Sequence, residues 1–121
     1  MLLCVTKVIY DDIRPHSKVF SSAKHFHGVF TASLDDLCHI YKFPQPNYIK
    51  IDVDGIEMKI LKGGRNVLQN PVTKSVLIEF PKGNQEMLIS GVELFEKLGF
   101  ELIKYSTRGN DDNYIFNRKS F

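Results

Sequence analysis

Residues 48–64 read YIKIDVDGIEMKILKGG. NYIKIDV (47–53) is a β-branched, apolar run of the kind that forms a strand, and its end carries an acid, Asp52, two residues before a second, Asp54. Gly55 follows, and Ile56, Ile60, Leu61, Val67 and Leu68 then recur at helical spacing, which predicts a helix from Gly55 to Leu68. A strand that passes through an acidic turn into a helix is the opening of a βαβ unit. Side chains alternate along a strand, so Lys50 and Asp52 share one face while Ile49, Ile51 and Val53 share the other.

Working outward, Asn70 and Pro71 close that helix, and KSVLIEF (74–80) is a nearly all-apolar strand, as expected when both faces are covered. A helix over 85–98 ends at Gly99, FELIKY (100–105) is a strand, STRGNDD a turn, and NYIFNRK (113–119) the last strand of an antiparallel hairpin. Upstream, Ser33 with Asp36 three residues later makes a capping-box-like start for a short helix from 34 to about 41. Pro44 and Pro46 then impose a connector. LLCVTKVIY (2–10) reads as a strand, and the segment around Pro15 and Gly28 as loop and short extended pieces. From residue 47 the order strand, helix, strand, helix, strand, strand predicts an α/β fold. It has parallel strands, right-handed crossover helices and a closing antiparallel hairpin, in one domain over 1–121.

A chain of 121 residues, 43% hydrophobic, buries roughly two thirds of its unfolded surface and forms a core without staples. A net charge of +2 lacks the basic excess of nucleic-acid binders. Cys4 and Cys38 match neither a disulfide framework nor a zinc site. No apolar run approaches the roughly 18 residues of a membrane span, and residues 1–12 do not resemble a signal peptide. These features predict a soluble, cytoplasmic chain with no nucleic-acid or membrane partner.

Ligands of open α/β sheets bind beyond the carboxyl ends of the strands, where Asp52 and Glu79 fall. Asp54 and Glu57 spell a capping box for the helix after Gly55. Asp52 lies outside that box and is the candidate catalytic residue; Lys50, Asp54, Glu57 and Glu79 are candidates for substrate contact or support. A calcium loop counted from Asp52 puts Ile56 at its fifth position and Gly63 at its twelfth, so that template fails. IDVDGI is similar to the Asp-x-Asp-Gly-Thr nucleophile motif of haloacid-dehalogenase-type phosphatases, with Ile56 in place of threonine. Under that reading Asp52 attacks phosphorus, Asp54 is the general acid, and Asp111 and Asp112 are late metal ligands, although little chain remains for the family's later elements. His25 and His27 alternate on an extended piece and read as solvated or, less simply, as metal ligands; His16 and His39 stand apart. Ser106, Thr107 and Arg108 lie in a turn within reach of a substrate.

A wider pattern combines SLDDLC (33–38), the proline spacer, YIKIDVDGIEMKILKGG, SVLIEF (75–80), LGFEL (98–102) and NYIFNRK. Together these resemble the C-terminal part of FkbM-type methyltransferases over about residues 31–118, leaving 1–30 poorly matched. That family carries Leu-Asp-Asp-Leu, then Lys-Ile-Asp-Val-Glu-Gly-x-Glu and a Leu-x-Gly-Gly helix; here Asp54 replaces the usual glutamate. The resemblance implies a Rossmann-like sheet in which 47–53 is the fourth strand, 74–80 the fifth, 100–105 the sixth and 113–119 the seventh, inserted between the fifth and sixth. It also implies S-adenosylmethionine as cofactor, a small-molecule or sugar hydroxyl as methyl acceptor, and an acid or divalent metal that assists deprotonation. No Gly-x-Gly precedes Asp52, so the chain reads as the second half of such a domain, truncated or split, with its N-terminal half missing. An interaction module that keeps the sheet without a cofactor site is the alternative. The edge of strand 47–53 is then expected to recruit residues 2–10, a second copy, or a complementing N-terminal half.

Overall fold

The computed structural model describes residues 2–6, 31–108 and 111–120. The described elements run β1 (Leu2–Thr6), α1 (Leu34–His39), β2 (Tyr48–Asp52), α2 (Glu57–Gly63), α3 (Arg65–Gln69), β3 (Ser75–Pro81), α4 (Gln85–Lys97), β4 (Phe100–Arg108) and β5 (Asp111–Arg118). All strands join one sheet in the order β1-β2-β3-β5-β4. β1 and β3 flank β2 in parallel, and β5 runs antiparallel between β3 and β4. The last strand therefore enters the sheet where the resemblance implied.

Leu2 pairs with Tyr48 and Thr6 with Asp52, so β1 covers the edge of β2. Of the partners expected for the 47–53 edge, the N-terminal segment is the one that takes it, through residues 2–6. Residues 7–10 of that predicted strand, Gly28 and His16, His25 and His27 lie outside the described residues. β4 runs three residues further than predicted, carrying Ser106 and Thr107 out of the turn and into the ladder, and β5 starts at Asp111. Between Leu102 and Lys104 the register against β5 shifts, leaving Ile103 as a bulge.

The helix predicted over Gly55–Leu68 is two helices, broken at Gly64. The cause is the close approach of α1. A Cβ on Gly64 would lie 2.6 Å from Leu34 Cδ1, and one on Gly63 3.1 Å from Ser33 Cβ. The backbone N–H groups freed at the start of α3 are taken by Asp35 across the crossing: Asn66 N donates to Oδ2 (3.1 Å) and Val67 N to Oδ1 (2.9 Å). The LDDL segment thus serves two helices. Ser33 Oγ accepts from Asp36 N at 3.0 Å and starts α1 as the spacing predicts, while Asp35 starts α3. The proline connector is pinned from inside by the buried Thr73, whose Oγ1 donates to the Pro46 carbonyl (2.7 Å) and accepts from Gln45 Nε2 (2.9 Å).

One buried cluster holds the molecule together. The sheet contributes Ile49 and Ile51 from β2, Val76, Ile78 and Phe80 from β3, and Tyr114 and Phe116 from β5; the helices contribute Leu34, Leu61, Val67, Leu68 and Phe95. Within each strand those positions share one parity, so the helices all pack on one face. Phe95 stacks on Phe116 (4.1 Å between centroids) and meets Phe100 edge-on (5.7 Å). β3 does not have two fully covered faces: its burial alternates, with Ser75, Leu77, Glu79 and Pro81 half-buried on the far side. Half-buried Lys50, Asp52, Asn113, Ile115 and Asn117 share that second, more polar face.

Arg118 closes the base of the sheet. Its Nε donates to the Thr73 carbonyl (2.8 Å), Nη1 to Leu98 (3.2 Å), and Nη2 to Leu68 and to Asn70 (3.1 Å), while the guanidinium lies 4.3 Å from the centre of the Phe100 ring. One side chain therefore satisfies the carboxyl ends of α3 and α4 together.

Candidate functional site

β2 ends at Asp52 because the chain turns there into α2, and Gly55, at φ +90°, makes that turn. The turn is held from within. Glu57 is fully buried, and its Oε1 accepts from Gly55 N at 3.1 Å. The expected capping box is thereby corrected. The cap position of α2 is Ile56 with no side-chain cap bond, Asp54 is exposed, and Glu57 reaches back to the turn instead.

Asp52 and Lys50 project to the open face together, as alternation requires. Lys50 Nζ lies 2.9 Å from Asp52 Oδ2, with both side chains a little over a third exposed. The hydrogen bond from Lys50 holds the Asp52 carboxyl below the usual carboxylate range, against the opposing pull of partial burial. The Lys50 charge adds to the lowering. Asp52 is thus a carboxylate held ionised at neutral pH. It is suited to accept hydrogen bonds and orient a ligand rather than to store a proton.

Glu79 stands beside it on β3, one step beyond the Ile51–Ile78 pair. The antiparallel register then sets Glu79 opposite Asn113, and Asn113 opposite Ser106. Lys50, Leu77, Glu79, Ser106 and Asn113 line a cleft of about 260 Å³ on this face. Of the predicted residues, the fold therefore brings together Asp52, Lys50 and Glu79, and adds Ser106 from the predicted turn. It keeps Asp54 on the surface of the turn and Glu57 beneath it. Asn113 was missed as a functional candidate. Its signal was the alternation in NYIFN, which sets Asn113 and Asn117 apart from Tyr114 and Phe116, but the partner across the sheet is not readable from one strand.

Other reactive groups stand away from this cleft. Burial first, and the Asp35 charge second, push the Cys38 thiol up and make it a poor nucleophile. Tyr114, buried against Phe80 and Tyr105, is pushed up by burial and by the charge of Asp112. Among the described residues no three His, Cys, Asp or Glu side chains gather to hold a metal, and no helix is long and apolar enough to cross a membrane.

The methyltransferase FkbM domain matches this sequence over residues 11–102, most of the chain. The chain belongs to the FkbM methyltransferase family. The FkbM match takes in Asp52, Asp54, Glu57 and Glu79 and stops before Asn113. The hexuronic acid methyltransferase AglP of Haloferax volcanii is 30% identical over 89 residues, covering 74% of this chain and 35% of AglP. This FkbM chain thus spans about a third of the length of that relative. No solved structure matches it.

Proposed function

We propose that this chain supplies the acceptor side of an S-adenosylmethionine-dependent O-methyltransferase acting on a sugar or small-molecule hydroxyl. Asp52 is the residue that orients the acceptor. The observation that carries this reading is the placement of an ionised Asp52, ion-paired to Lys50, at the carboxyl end of a parallel strand in a sheet of FkbM type. Support for a sugar acceptor comes from AglP, whose name describes a hexuronic acid methyltransferase.

Asp52 accepts a hydrogen bond from the acceptor hydroxyl and turns an oxygen lone pair outward. The Lys50 ammonium keeps the carboxylate charged and fixes its rotamer, and Glu79 confines it from the other side. Alignment of this kind contributes by reducing the entropy lost on reaching the reacting geometry.

The sequence before Asp52 carries no glycine-rich turn for the rest of the cofactor. β1 pairs where the strand before a glycine-rich turn would lie, but Lys7, Val8, Ile9 and Tyr10 follow it, and Gly28 is the lone glycine before Asp52. On this reading a glycine-rich cradle would come from a complementing half, in the same polypeptide or a separate one. The same missing turn favours a second reading, an interaction module that retains the sheet without activity. A phosphatase using Asp52 and Asp54 gains no support from the FkbM match.

Calorimetric titration with S-adenosylhomocysteine, on the chain alone and after co-expression with any glycine-rich half encoded upstream, tests the reading. Saturable binding that appears with the added half, with transfer to a sugar lowered about 100-fold or more by Asp52→Asn, is expected. No binding in either preparation favours the interaction module.

A further inference from the structure

We propose that Asp52, Glu79, Asn113 and Ser106 form one recognition row across four strands, and that the row with Lys50 and Leu77 binds a single pyranose ring bearing vicinal hydroxyls. The inference rests on the acceptor role given above, and it extends the site to two residues on the closing hairpin.

The row follows from register. Glu79 and Asn113 are direct partners, as are Asn113 and Ser106, and Glu79 stands beside Asp52 on the parallel side, one step beyond the Ile51–Ile78 pair. Strands lie about 4.8 Å apart, so Glu79 to Ser106 spans roughly 10 Å at one level of the sheet, a little more than one sugar ring with its hydroxyls. The cleft of about 260 Å³ falls below the roughly 300–1,000 Å³ typical of pockets for drug-sized ligands, which points to one ring rather than a nucleotide.

The chemistry of the lining is that of a polyol site. Glu79 in the lining, and Asp52 beside it, can accept from hydroxyls; the Asn113 amide and the Ser106 hydroxyl both donate and accept, and Lys50 brings an ammonium donor. Vicinal hydroxyls offer paired donors and acceptors at the spacing such groups need. Leu77, one step back along β3, gives an apolar floor for the C–H face of a ring. The helix face of the same sheet has none of this character, because Val76, Ile78, Phe80, Tyr114 and Phe116 fill it.

The test is an NMR titration of the full 121-residue chain with D-glucose and D-glucuronate, following the side-chain amide of Asn113 and the backbone amides of Glu79 and Ser106. Saturable shifts at those three positions are expected at millimolar sugar. Ser106→Ala, at an exposed position, is expected to weaken binding about 3- to 10-fold with an unchanged thermal midpoint, as loss of one hydrogen bond implies. Asn113→Ala should weaken it at least as much. Shifts confined to other surfaces, no saturation, or affinity unchanged in both variants would overturn the row. Methyl transfer reads the parent proposal separately: sugar bound at the row without transfer by the complemented enzyme sinks the activity and leaves the row. Transfer to an acceptor that ignores Asn113 and Ser106 does the reverse.

Discussion

Replacing Arg118 is the sharpest test of how this small domain holds together. Its guanidinium donates to four carbonyls, those of Leu68, Asn70, Thr73 and Leu98, and covers the Phe100 ring. Hydrogen bonds to a charged group contribute about 1.5–3 kcal/mol each when one partner is lost, but these share one side chain and some carbonyls will rehydrate. The sum is therefore not four such bonds. Breaking a partly buried charged network costs about 3–5 kcal/mol, which we assign to Arg118→Ala. Arg118→Lys keeps the charge near the two helix ends but loses the planar fork, so about 1.5–3 kcal/mol is expected. Domains of this size have about 5–15 kcal/mol in all, so alanine removes a large share. In urea unfolding, a slope of about 2 kcal/mol/M turns these losses into midpoints lower by roughly 2 M for alanine and 1 M for lysine, with the slope unchanged. A lysine variant that unfolds with the wild-type midpoint would show that fork geometry is irrelevant. An alanine variant within about 0.3 M would remove the clamp from the account altogether.

Further outcomes follow from other contacts. Gly64→Ala drives a Cβ into Leu34 and should cost about 1–3 kcal/mol by thermal unfolding, whereas a straight α2–α3 helix in solution would make it stabilising. Glu57→Gln retains an oxygen acceptor for Gly55 N and should cost less than Glu57→Ala, about 2–4 kcal/mol, as read by denaturant midpoints; equal losses would exclude the turn-holding role. Asp52 has a folded pKa below its unfolded value of about 3.9, so its ion pair stabilises the protein above that pH and is lost as pH falls through the folded value. The thermal midpoint of Asp52→Asn should accordingly fall less than that of wild type on acidification from neutral pH, and parallel acid limbs would contradict the pairing.

Much of this architecture was legible because it rests on local rules. Alternation placed Lys50 with Asp52, Ser33 announced α1, and the apolar strands fell within a residue or two of their predicted bounds at β2 and β3. What escaped depends on neighbours distant in sequence. Helical spacing from Ile56 to Leu68 is continuous, and nothing local says that Leu34 crosses at Gly64 and that Asp35 waits to cap the second half. Asp54 and Glu57 satisfy a capping pattern in sequence, yet burial of Glu57 under the turn outweighs it. Candidate site residues on β2 and β3 were named because strand ends are where such folds meet ligands. Asn113 was not, since it joins them only through an antiparallel register set by the hairpin.

The bulge at Ile103 has a consequence for how β4 tolerates change in length. Counted strictly by twos from the buried Phe100, positions 104 and 106 would point into the core and Tyr105 away from it. The extra residue reverses that parity, so Lys104 and Ser106 take the polar side while Tyr105 meets Tyr114. Deleting Ile103 would leave Leu102 opposite Phe116, Lys104 opposite Ile115 and Ser106 opposite Asn113, the same partners in a regular ladder. A one-residue deletion at any buried position of β2 or β3 would instead turn the rest of that strand inside out. The closing hairpin thus has one residue of slack, placed just ahead of the serine that faces the cleft.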